Sequence, residues 1–133
     1  MVRNPFDAIA STKIEKTEKK KTAEKRITHL KKKAQRFFKK AGYAKKSIEL
    51  VGRDRIHELR HEEFVADPKS HLAALCSFLG VEPTEEYLDD CASIVFPKPR
   101  PTRFRLEWTP ELIEWVNHRM ADFEFFNGYS YDG

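Results

Sequence analysis

The sequence predicts a mostly helical α/β chain at the edge of a three-layer fold built round a parallel sheet. Three features carry that reading. The opening run Val2 to Ser11 has the pattern of a strand end turning into a helix. Ile56-His57-Glu58-Leu59-Arg60 reads as a second short strand. Several amphipathic stretches with good N-caps occupy the rest of the chain. Two partial strands joined to several helices suit the border of a layered sheet fold better than a closed domain.

The first element is residues 1–11. Arg3 stands on the strand side of the turn, Asn4 is suited to N-cap a helix, and Pro5 suits the first helical position. Asp7 falls in the first turn, where a carboxylate favours the positive helix end. Ser11 lies two turns on. An arginine fork, a serine hydroxyl and a helix N-terminus together make a phosphate pocket.

Residues 12–46 read as a lysine-rich amphipathic helical insertion. Ile27, Leu30, Ala34, Phe37, Phe38 and Ala41 recur at three- and four-residue spacing, with lysines around the remainder and Gly42 as the expected C-cap. Charge is unevenly spread: Lys plus Arg exceed Asp plus Glu by twelve in residues 1–46 and fall short by eight in residues 47–133, giving the net +4. The triplets Lys19-Lys20-Lys21 and Lys31-Lys32-Lys33 contribute most visibly. Such a face is solvated, or it meets an anionic acceptor such as a sulfated or carboxylated glycan. Nucleic acid fits least well, because a lysine helix holds phosphate without base-reading groups.

Gly52 to Arg55 reads as a turn before the second strand. Asp67 and Pro68 start a helix with the apolar stripe Leu72, Leu75, Cys76 and Leu79, stopped at Gly80. Thr84, with Glu85 and Glu86, starts another that buries Leu88, Cys91 and Val95. Pro97, Pro99 and Pro101 impose an extended loop bearing Arg100, Arg103 and Arg105. Thr109-Pro110 begins the last helix, with Leu112, Val116, Met120 and Phe123 on one face. Trp108, Trp115, Phe125 and Phe126 read as core.

The 133 residues are 40% hydrophobic and 35% charged, enough for one domain, with no apolar run of membrane-spanning length. His57 and His61 would share a strand face, yet no third ligand has metal-site spacing. Cys76 and Cys91 are expected as buried free thiols; two cysteines leave the compartment, Golgi lumen or cytoplasm, open.

The run Arg3-Asn4-Pro5-x-Asp7-x-x-x-Ser11 resembles the 3′-phosphate-binding segment of sulfotransferases that use 3′-phosphoadenosine 5′-phosphosulfate (PAPS). His61-Glu62-Glu63-Phe64-Val65-Ala66-Asp67-Pro68 is similar to that family's segment of the type YEDLVADP, with His61 and Phe64 as departures. Phe78-Leu79-Gly80 and the stretch from Trp108 to Gly128-Tyr129 follow in the family's order. The resemblance implies the C-terminal part of a three-layer P-loop-type parallel sheet fold, and one partial sulfotransferase domain over 1–133 with its C-terminal strand, helices and arginine/proline loop in 56–133. No Gly-rich loop followed by Lys and Ser/Thr occurs, so that loop and the catalytic base are expected N-terminal to Met1. The resemblance implies cofactor contacts from Arg3 and Ser11, with Arg103 as the choice from the arginine loop. No catalytic or metal-binding residue is assigned within the chain. The implied reaction is sulfuryl transfer from PAPS to a hydroxyl or amine of a carbohydrate or other biomolecule. The competing expectation is an inactive remnant serving as a basic polyanion-binding or interaction module.

Overall fold

The computed structural model describes residues 1–11 and 22–133. Its elements are α1 (Pro5–Ser11), α2 (Ala23–Val51), a 3₁₀ turn (Arg53–Arg55), α3 (His61–Ala66), α4 (Pro68–Phe78), α5 (Glu85–Ser93), a 3₁₀ turn (Thr102–Arg105), α6 (Pro110–Met120) and a 3₁₀ turn (Glu124–Phe126). The expected three-layer α/β sheet is overturned. Among the described residues the β-structure is one isolated parallel bridge, Val2 to Arg60, and no strand forms. A parallel ladder needs several successive residues on both partners. Here Asn4 already caps α1, so pairing stops after Val2, and 56–59 run as irregular backbone. His61 opens α3, which removes the expected alternation of His57 and His61.

The chain forms two compact units. One comprises Met1–Arg3 with Asp54–Arg100, the other Asn4–Arg53 with Pro101–Gly133.

In the second unit α2 follows its apolar stripe: Leu30, Ala34, Phe38 and Ala41 are buried, and Ile27 and Phe37 half-buried. Thr22 caps its start by accepting the Lys25 N–H. The helix does not stop at Gly42 as expected. It continues to Val51 and ends at Gly52, whose φ of 91° lies in the region glycine favours and whose N–H donates to Ile48 O. Helix-forming residues on both sides carry Gly42 through, at the usual small cost of a glycine inside a helix. The part of the expected lysine-rich helix over 12–21, including Lys19-Lys20-Lys21, lies outside the described residues.

Phe38 lies among aromatic rings, edge-on to Trp115 at 5.7 Å and stacked on Phe123 at 6.0 Å. Leu112, Val116 and Met120 bring the buried face of α6 to the same core, as the sequence predicts. Burying a ring such as Phe38 contributes about 1.5–3 kcal/mol to the unit's stability.

In the first unit Asp67 accepts the Ser70 N–H at 3.2 Å and Pro68 takes the first turn of α4, as expected. Thr84 caps α5 by accepting the Tyr87 N–H. Lys69 ties the two helices, with Nζ 2.6 Å from Glu85 Oε2 and 2.7 Å from Asp89 Oδ1. Those carboxylates hold its ammonium well above the ordinary lysine range, Asp89 most strongly. Cys76 and Cys91 are free thiols and half-buried. Hydrogen bonding with Cys91 raises the Tyr87 phenol above its ordinary range. Leu88 is buried, Leu79 exposed. No described helix is long and apolar enough to cross a membrane.

Candidate functional site

The N-terminal run is fixed from both sides of the Arg3–Asn4 peptide. In the first unit Val2 donates to Leu59 O and accepts from the His61 N–H, both at 2.7 Å. That pairing places Arg3, whose Nη2 donates to the Arg100 carbonyl at 2.9 Å. Its Nε is buried and has no hydrogen-bond partner among the described residues. A buried, unpartnered guanidinium N–H is costly unless an acceptor arrives, and an anionic oxygen is the strongest acceptor available. The Arg100 guanidinium itself stacks 3.7 Å over the Phe96 ring.

In the second unit Asn4 caps α1 as the sequence predicts. Its Oδ1 accepts the Phe6 N–H at 3.0 Å, while its Nδ2 donates to Ser130 O at 2.9 Å. Pro5 has no N–H to offer, and Asn4 to Asp7 are all buried. The first turn of α1 is thus closed by protein groups.

Asp7 is taken up by the segment around Arg103. Its Oδ1 accepts the Arg103 backbone N–H at 2.8 Å and its Oδ2 meets Arg103 Nη1 at 2.6 Å. Arg103 Nε donates to Tyr131 O at 2.6 Å, and Thr102 Oγ1 donates to the Asp7 carbonyl at 2.8 Å. Trp108 Nε1 closes the segment by donating to Arg103 O. Phe6 packs edge-on to Trp108 at 5.1 Å and to Tyr131 at 5.3 Å. Two segments of the C-terminal third therefore grip α1.

Ser11 is exposed at the last position of α1, its Oγ donating to Ala8 O at 3.0 Å. The hydroxyl keeps its lone pairs and can re-aim its proton. Of the residues assigned through the resemblance, Ser11 presents an exposed group and Arg3 a buried unpartnered donor. Arg103 is buried and commits its guanidinium to Asp7 and Tyr131. The Asp7–Arg103 pair carried no sequence signal: its members are 96 positions apart.

His57 sits 5.3 Å from the Phe78 ring, and no group of three or more His, Cys, Asp or Glu suited to a metal ion occurs among the described residues.

A family model described as the sulfotransferase family matches residues 1–86, from the Arg3–Ser11 run through α4 into the first turn of α5. The chain belongs to the sulfotransferase family, a family of transferases. No curated protein and no solved structure matches it.

Proposed function

We propose that this chain takes part in sulfuryl transfer from PAPS to a hydroxyl or amine acceptor, an anionic glycan fitting its charge best, and that it supplies the grip on the nucleotide's 3′-phosphate. The observation that carries the reading is the family match over residues 1–86, which contains the whole Arg3–Ser11 run. The residues fit an anionic group: Arg3 keeps a buried Nε without an acceptor, and Ser11 an exposed hydroxyl. Arg3 offers a charge-assisted donor to a phosphate oxygen and Ser11 a neutral one. Bound PAPS would supply the sulfuryl group. Arg103 works at one remove, holding Asp7 and so the helix that ends in Ser11. These contacts bind and orient the nucleotide; positioning of this kind accounts for much of the acceleration in transfer reactions.

Titration of the chain with adenosine 3′,5′-bisphosphate tests the reading. Binding with a rise in melting temperature is expected, equivalent to about 2.7 kcal/mol at a ligand concentration of a hundred times Kd. The absence of both binding heat and any rise would overturn it.

A second reading, a polyanion-binding interaction module, is favoured by one observation: between Glu24 and Glu49 the chain carries ten Lys and Arg and no carboxylate. Salt-dependent polyanion binding without any nucleotide effect would select it.

A further inference from the structure

Among the described residues, helix α2 carries a strongly one-sided charge. Exposed helices in solution usually alternate charge, placing a carboxylate three or four residues from each lysine. From Lys25 to Lys46 this helix has none. Lys32, Arg36 and Lys40 instead follow one another at four-residue spacing, so like charges are stacked on successive turns.

Seven of these ten cations fall into two sets. Arg26, on the flank of the buried face, pairs with Glu107 at 3.2 Å, and Lys45, in line with that face beyond Ala41, donates to the Asp122 carbonyl at 2.9 Å. Lys25, Lys32, Arg36, Lys39 and Lys40 are exposed and fall within about 100° of helical arc, opposite Leu30, Ala34 and Phe38. They form a row about 22 Å long, with a cation on each turn from Lys32 to Lys40 and Lys25 two turns ahead. On one side the row borders a depression of about 520 Å³ whose lining includes Ala8, Ile9, Phe37 and Tyr43.

From this arrangement we infer that the outer face of α2 is a docking row for a linear sulfated or carboxylated glycan. A thin chain bearing an anionic group on each ring can place anions against successive cations of the row, and its apolar ring faces can lie on the adjoining depression. Single-stranded nucleic acid needs successive aromatic platforms. Phe37 is stacked on Phe126 at 5.7 Å and edge-on to Phe38, which leaves Tyr43 as the exposed ring beside the row. This inference rests on the proposed function only for the glycan's being the acceptor; docking itself requires no nucleotide.

The test is calorimetric titration of the chain with a heparin-derived octasaccharide, with an eight-residue oligothymidylate as comparison. The octasaccharide is expected to bind, more weakly as salt rises, and the triple variant Lys32→Glu/Arg36→Glu/Lys39→Glu to lose at least about 30-fold in affinity. Lys98→Glu, outside α2, is expected to change affinity less than about threefold. Circular dichroism monitors folding, and Lys32→Gln/Arg36→Gln/Lys39→Gln repeats the test without new charge. Unchanged affinity in a folded triple variant overturns the inference. So does the absence of octasaccharide binding, or tighter binding of the oligothymidylate. Adenosine 3′,5′-bisphosphate, titrated into the same variants, is expected to bind as before, which separates failure of the row from failure of the nucleotide reading.

Discussion

The Asp7 carboxylate and the Arg103 guanidinium meet at 2.6 Å with both side chains almost wholly out of water, 5% and 9% exposed. Two charges so placed are tolerable only as a pair with their remaining bonds filled, and the Arg103 N–H and the Tyr131 carbonyl fill them. The pair joins residues far apart in sequence at the first turn of α1.

Asp7→Ala strands that guanidinium, and the expected loss is about 3–5 kcal/mol in urea unfolding. Asp7→Ala, Arg103→Ala and the double variant together form a cycle. Their losses should fail to add by at least about 1 kcal/mol. Additive losses would mean that the two charges do not support each other.

Gly42 and Gly52 should respond in opposite directions to alanine. A Cβ at Gly42 meets nothing within 4 Å, and the residue lies inside α2, so Gly42→Ala is expected to stabilise by about 1 kcal/mol. Gly52 holds φ at 91° while ending the helix, so Gly52→Ala should destabilise. Thermal melts of the two variants check both signs.

Acid should loosen the start of α4. Hydrogen bonds from the Ser70 hydroxyl and then from its backbone N–H hold the Asp67 carboxyl below the ordinary value of 3.8. A depressed carboxylate contributes stability in full above that ordinary value and loses it as pH falls through the folded one. The melting-temperature difference between the native chain and Asp67→Ala should therefore be level from pH 7 to about 5 and shrink below about 3.8. A constant difference down to pH 2 would remove Asp67 from the acid response.

Arg3→Ala should weaken adenosine 3′,5′-bisphosphate by about 10- to 100-fold, the range for losing a charge-assisted bond. Ser11→Ala, which removes a neutral donor, should cost about tenfold or less. Retained affinity in Arg3→Ala would dismiss the assignment of Arg3 to the phosphate.

What could be read in the sequence was local. Asn4, Asp67, Thr84 and Thr109 announce their helices because capping joins a side chain to an N–H two or three residues on. The stripe of α2 and the face of α6 are equally short-range patterns. The strand expected at 56–60 failed because its local pattern says nothing of whether a partner runs alongside. Gly42 misled because glycine ends a helix only where left-handed backbone is needed, and here that place is Gly52. Glu62 and Glu63, the acidic first turn of α3, were the signal for the helix that the strand reading overlooked. Arg3 and Ser11 were visible as a motif. The contacts of Arg3 with Arg100, Asp7 with Arg103 and Asn4 with Ser130 span 96 to 126 positions and leave no trace in local spacing.

The grip on α1 also sets an order of events during synthesis. Seven residues are too few to hold a helix unaided, and what holds these comes from Thr102, Arg103, Ser130 and Tyr131. A growing chain thus presents Ser11 well before Thr102, Arg103, Ser130 and Tyr131 emerge to secure the helix that carries it. α2 and the capped helices of the other unit can form while translation is still under way. The ordering of α1 therefore waits on segments far along the sequence, and reports that Ser130 and Tyr131 are in place.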